Sequence, residues 1–173
     1  MTFVVAEIGV NWDGDFDLVK EMMMVAKGSG CDAVKFQAYE DNMVKNHPER
    51  SRLIKSTISK LNIETINGLA KSVGIEWFCT PMYPEAVEIL DSYVKRFKIR
   101  VADGKPLLEN KTSELFEQIL KTNKEIIISC QTSPRGCKYF GYSKIRWLYC
   151  VPKYPCSLEE LDFRDIKNFD GFS

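Results

Sequence analysis

Phe3-Val4-Val5-Ala6-Glu7-Ile8-Gly9 opens the chain as an apolar run broken by one acid. A strand-length segment that is apolar on both faces belongs in a parallel sheet covered by helices. Five more such runs follow: Ala33 to Gln37, Ile75 to Thr80, Phe97 to Ala102, Glu125 to Cys130 and Arg146 to Val151. Polar residues stand at or just past the end of nearly every run, namely Asn11, Lys35 with Gln37, Thr80, Asp103, Ser129 and Lys153. A site assembled from the C-terminal ends of many parallel strands is the habit of the (β/α) barrel.

Helical patterns separate the runs. Phe16, Val19, Met22, Met23 and Ala26 keep helical spacing until Gly28 and Gly30 end it, and Met22 to Met24 read as core packing. Ile63 to Val73 repeats the pattern, with Asn62 as the N-cap and Gly74 as the stop. Pro84 to Leu90 makes a short helix with proline in its first turn. Thr112 to Leu120 places Leu115, Phe116, Ile119 and Leu120 on one side, and Ser157 with Glu160 forms a capping box. Strand then helix, repeated, means a right-handed parallel α/β arrangement. Two architectures satisfy it, an open doubly wound sheet and a closed barrel. A G-x-G-x-x-G loop is absent after the first strand, which favours the barrel. A full barrel takes eight strand-helix units over about 250 residues. These 173 residues hold six, with Phe169 to Ser173 at the threshold of a seventh. The expected fold is an incomplete TIM-type (β/α) barrel forming one partial domain over residues 1–173.

Composition narrows the functional classes. Basic and acidic residues number 24 each, so the basic stripe of a nucleic-acid binder is not expected. No apolar run approaches the ~20 residues of a membrane helix. The opening carries an acid too early for a signal peptide, so a cytoplasmic protein is the expectation. Of six cysteines, Cys31, Cys79, Cys130 and Cys150 sit in or beside apolar runs, and Cys137 and Cys156 lie in loop-like sequence. With no C-x-x-C pair and one histidine, His47, in a polar stretch, a zinc cage is not expected and reduced thiols are.

Three segments carry a family resemblance. Ala6-Glu7-Ile8-Gly9-Val10-Asn11-Trp12-Asp13-Gly14-Asp15, Asp32-Ala33-Val34-Lys35-Phe36-Gln37 and Glu76-Trp77-Phe78-Cys79-Thr80-Pro81 follow one another in register. They resemble the A-E-I-G-x-N-H-x-G-D, D-A-V-K-F-Q and F-x-S-T-P segments of the sialic acid synthase family. That family includes N-acetylneuraminate synthase, its 9-phosphate relative and the spore-coat polysaccharide synthase. The resemblance implies a transferase in carbohydrate biosynthesis. Phosphoenolpyruvate would add through C3 to the aldehyde of an N-acetylmannosamine-type sugar, giving a nine-carbon 2-keto acid. It also implies a divalent metal, manganese or magnesium, as a Lewis acid.

Carried over position by position, the resemblance makes Glu7 and Lys35 the catalytic pair. Gln37, Thr80, Lys98, Asp103, Ser129 and Tyr154 become substrate-binding residues. Where the family has a metal-binding histidine in L-H-C-T-S-x-Y-P, this chain has Tyr149 in Leu148-Tyr149-Cys150-Val151-Pro152-Lys153-Tyr154-Pro155. A neutral tyrosine is a poor ligand for such an ion. Trp12 replaces a first-loop histidine, and Gly171-Phe172-Ser173 matches only the start of the family's G-x-S-D-H-T. This chain alone is therefore not expected to bind the metal, and the family's C-terminal antifreeze-like domain is expected to be absent. The stretch from Gln131 to Arg146 is too short for a full helix. Bland alternatives stand beside these roles. Lys98 can belong to a solvated basic stretch, Thr80 can shape the turn before Pro81, Asp103-Gly104 is a common turn pair, and Tyr154 can pack on the rim. Two other outcomes remain: a metal-independent anion binder using Lys35, Lys98 and Thr80, or a diverged fragment. A second copy or a separate C-terminal half is the expected protein partner.

Overall fold

The computed structural model describes residues 2–173. The chain divides into two compact units, one ending at Lys95 and one beginning at Arg96. The first unit runs β1 (Val5–Gly9), α1 (Phe16–Gly28), β2 (Ala33–Ala38), α2 (Asp41–Val44), α3 (Arg50–Ser56), α4 (Ile63–Val73), β3 (Glu76–Pro81) and α5 (Pro84–Asp91). Its strands are parallel, and β2 lies between β1 and β3. Glu7 stands opposite Lys35, Lys35 opposite Phe78, and Gln37 opposite Thr80. Because side chains alternate along a strand, these residues share one face. Ile8, Val34, Phe36, Trp77 and Cys79 take the other, where all are buried. Helices α1 and α4 pack together, α1 against β2 and α4 against β3. They contribute Val19, Met23, Ala26, Ile63, Ile66 and Ala70 to the core.

The structure alters the reading of the methionine run and of Asn62, and adds two helices. Met23 is fully buried but Met24 is 55% exposed, since neighbouring helical residues point about 100° apart. The methionine run is therefore only partly core. The charged stretch after Tyr39 has no apolar periodicity, yet it folds as α2 and α3. Tertiary hydrogen bonds tie it down. Trp12 Nε1 donates to the Ser56 carbonyl at 3.0 Å, and the Tyr39 hydroxyl donates to the Leu53 carbonyl at 2.6 Å. Burial pushes the Tyr39 phenol up to about 12. Asn62 does not cap α4 with its side chain; its Oδ1 accepts from Ser59 N and its Nδ2 donates to the Thr57 carbonyl.

The second unit runs β4 (Arg96–Ile99), α6 (Val101–Leu108), α7 (Glu114–Lys121), β5 (Glu125–Cys130), β6 (Ile145–Tyr149) and β7 (Gly171–Phe172). These four strands are parallel and lie in sequence order. Within both units each new strand is added beside its predecessor, without the reversal of a doubly wound sheet. The fourth strand ends at Ile99, three residues earlier than expected, because Arg100 starts a helix there. Asp103 and Gly104 consequently lie in the first turns of α6 and not in a strand-closing turn. An acid suits that position, near the positive end of the helix. Gly104 is there for close approach: a Cβ on it would stand 2.9 Å from Ile128 Cγ2 and 3.2 Å from the Ser129 carbonyl oxygen. No helix joins β5 to β6. The Ser157–Glu160 capping box forms, but it caps only the single 3₁₀ turn Leu158–Glu160. Among the described residues no helix is long and apolar enough to cross a membrane.

Gly104→Ala should therefore force α6 away from β5. The overpacking is expected to cost about 1–3 kcal/mol, read as a lower thermal midpoint with native far-UV circular dichroism.

Candidate active site

On the polar face of the first unit, the Lys35 ammonium meets the Glu7 carboxylate and donates to Thr80 Oγ1 at 3.2 Å. The structure thus brings Glu7, Lys35 and Thr80 together, one from each strand. An ammonium has three N–H donors. Two are engaged here, and among the described residues the third has no partner. The Lys35 side chain is only 13% exposed whereas that of Glu7 is 47% exposed, so solvent reaches the pair from the carboxylate side. Thr80 is buried. Gly9 completes the arrangement. It holds φ +55°, and a Cβ on it would stand 3.0 Å from Glu7 Oε1 and 3.6 Å from Gln37 Nε2. A side chain there would push into the space between those two groups, and the left-handed backbone itself favours glycine. Sequence reasoning passed over Gly9, although a glycine two residues after a strand glutamate is the kind of signal that marks close approach.

The second unit holds a separate cluster. Lys98 is buried, and its ammonium donates to Ser129 Oγ at 2.6 Å and to the Ile99 carbonyl at 2.9 Å. It is not part of a solvated basic stretch. Cys150 lies beside the cluster: burial raises its thiol pKa, while the Lys98 ammonium and the Ser129 hydroxyl pull it down. The sequence reads Cys150 as part of an apolar run to Val151, but the strand ends at Tyr149 and leaves Cys150 beyond the alternation. Asp103 does not face outward as a free acid. Arg100 grips it through both guanidinium branches, one of them at 3.1 Å. Tyr154 is 96% exposed, so it neither packs on the rim nor joins the Lys98 cluster.

The residue pattern has matches among known proteins. The NeuB family model aligns with residues 22–171, most of the chain. The chain belongs to the NeuB family. An uncharacterized protein of Methanocaldococcus jannaschii is 32% identical over 96% of this chain and 51% of its own length. The N,N'-diacetyllegionaminic acid synthase of Legionella pneumophila is 31% identical over 95% of this chain and 53% of its own. The N-acetylneuraminic acid synthetase of Leptospira borgpetersenii superposes with a TM-score of 0.78 at 22% identity, covering 95% of this chain and 59% of that one. The chain spans about half the length of the curated relatives it matches. Its fold is an incomplete (β/α) barrel, with a seventh strand where six had been expected.

Against that family background the sixth-strand tyrosine can be tested as a metal position. Tyr149 is buried, and the rings of Phe163, Phe169 and Phe172 surround it at centroid distances of 5.9, 5.5 and 6.4 Å. Its hydroxyl accepts from Asp162 N at 2.8 Å. Among the described residues no three His, Cys, Asp or Glu side chains converge on a point where an ion could sit. The residues present do not fit a manganese- or magnesium-like ion. Trp12 is likewise fully buried and donates its N–H to the Ser56 carbonyl. Both aromatic residues are structural members of their cores.

Two measurements follow. Tyr149→Phe should lose the hydrogen bond from Asp162, costing about 1 kcal/mol, whereas Tyr149→Ala should cost about 3–5 kcal/mol; urea denaturation separates them. All six cysteines are free. Cys156 is exposed, Cys79, Cys130 and Cys137 are buried, and burial pushes the Cys130 thiol up to about 12. Iodoacetamide at pH 8 should label Cys156 first, with the other three protected until the protein unfolds, as followed by intact mass and peptide mapping.

Proposed function

We propose that this chain takes part in a sialic-acid-synthase-like condensation of phosphoenolpyruvate with an N-acetylmannosamine-type aldehyde. What supports this reading is the Glu7–Lys35–Thr80 cluster, an ammonium held between a carboxylate and a hydroxyl with one N–H to spare. A compact charge of that kind suits a phosphate or carboxylate. In the reaction, C3 of phosphoenolpyruvate bonds to the aldehyde carbon and the aldehyde oxygen gains a proton. Water adds at C2 and loses a proton. The C2–O bond to phosphate then breaks as the C2 hydroxyl gives its proton to the departing phosphate, and inorganic phosphate and a 2-keto acid leave. Lys35 orients the anion with its third N–H, and Glu7, in reach of solvent, exchanges protons with the attacking water. Gln37 and Thr80 fix the substrate beside that pair. Lys98 with Ser129 forms a further anion-holding group in the second unit. Asp103 and Tyr154 receive no role. No step is routed through a metal. Association with a second copy or with a separate polypeptide is part of the proposal.

A second reading is favoured by Tyr149: a relative that binds phosphoenolpyruvate without metal and performs no condensation. One set of measurements separates the two. At a hundred times its dissociation constant, phosphoenolpyruvate should stabilise the native state by about 2.7 kcal/mol. That rise should occur with or without manganese and vanish in Lys35→Met. Phosphate release that requires N-acetylmannosamine, and is lost in Glu7→Gln, supports the condensation. Stabilisation without release supports the binder. No stabilisation under any condition sinks both.

A further inference from the structure

The second unit carries a concavity of about 200 Å³. It forms where the loop entering β6 meets the segment entering β7. The rings of Phe140 and Phe169 line it, with Arg146 and Lys167. Both cations are exposed, and among the described residues neither has a hydrogen-bond or ion-pair partner. Trp147 contributes to the wall. The residue is only 2% exposed, its side chain alternates with that of Arg146 along β6, and its indole N–H, buried away from the opening, has no acceptor. Asp170, also lining the space, is committed: its carboxylate accepts from Trp147 N at 2.8 Å.

We infer that this concavity binds a small organic carboxylate. Two unpartnered cations against one engaged carboxylate leave a single positive charge, which matches a monoanion better than a phosphate dianion. Apolar rings beside the cations accept a ring or short chain. A space equal to about six or seven waters takes a one-ring acid. None of the residues lining it belongs to the Lys98 cluster. The inference does not depend on the condensation.

Benzoate is the probe, titrated into the intact chain and followed by amide chemical shifts and tryptophan fluorescence. The expected result is saturable one-to-one binding, with shifts centred on residues 140–147 and 167–170. Arg146→Gln and Lys167→Gln should each weaken it about tenfold, the loss of one charge-assisted hydrogen bond. Both residues are exposed and unpartnered, so neither change threatens folding. Excess phosphoenolpyruvate should leave benzoate in place, and sodium chloride at the same concentration should produce no saturable shifts. Unchanged affinity in both variants, equal binding of chloride, displacement by phosphoenolpyruvate or the absence of saturation would each overturn the assignment.

Discussion

An ammonium placed inside a strand must be paired or kept neutral, because a buried unpaired charge costs far more than any one contact returns. Lys35 meets that demand by drawing Glu7 from the strand on one side and Thr80 from the strand on the other. The requirement dictates much of the first unit. Three strands must run in parallel and in register for the groups to meet, and Gly9 must leave the space open. The opposite face is then free to be wholly apolar, so Phe36 and Trp77 pack edge to face at 6.0 Å in the helix-covered core.

The second unit obeys the same rule with other partners. Lys98 is more deeply buried than Lys35 and spends donors on Ser129 and a main-chain carbonyl. Gly104 lets α6 approach the strand that presents Ser129. The support of one polar cluster thus rests on a missing methyl group, as Gly9 does in the first unit.

At the two positions for which the resemblance implies histidines, this chain carries aromatic residues that face inward. Trp12 and Tyr149 are large, buried and hydrogen-bonded to the backbone through their polar atoms. An aromatic ring with one polar handle favours such a place, since its apolar body contributes burial while the handle satisfies an otherwise orphaned group. The consequence is local stability at positions that no longer present a ligand.

The sequence by itself determined the alternation of strands and helices and their parallel sense, because apolar periodicity and helix stops are local signals. The family resemblance named Glu7, Lys35 and Thr80, and the parallel register of β1, β2 and β3 decided that they share a face. Helix α3 was illegible because its backbone is anchored by side chains outside it, Trp12 on Ser56 and Tyr39 on Leu53. Asp103 and Gly104 were misread because a turn pair and a helix start use the same residues, and only the close approach of β5 distinguishes them. The inward turn of Tyr149 and the exposure of Tyr154 were decided by tertiary structure alone. Whether a side chain meets solvent or a ring from elsewhere in the chain depends on packing, and packing is a property of the assembled fold.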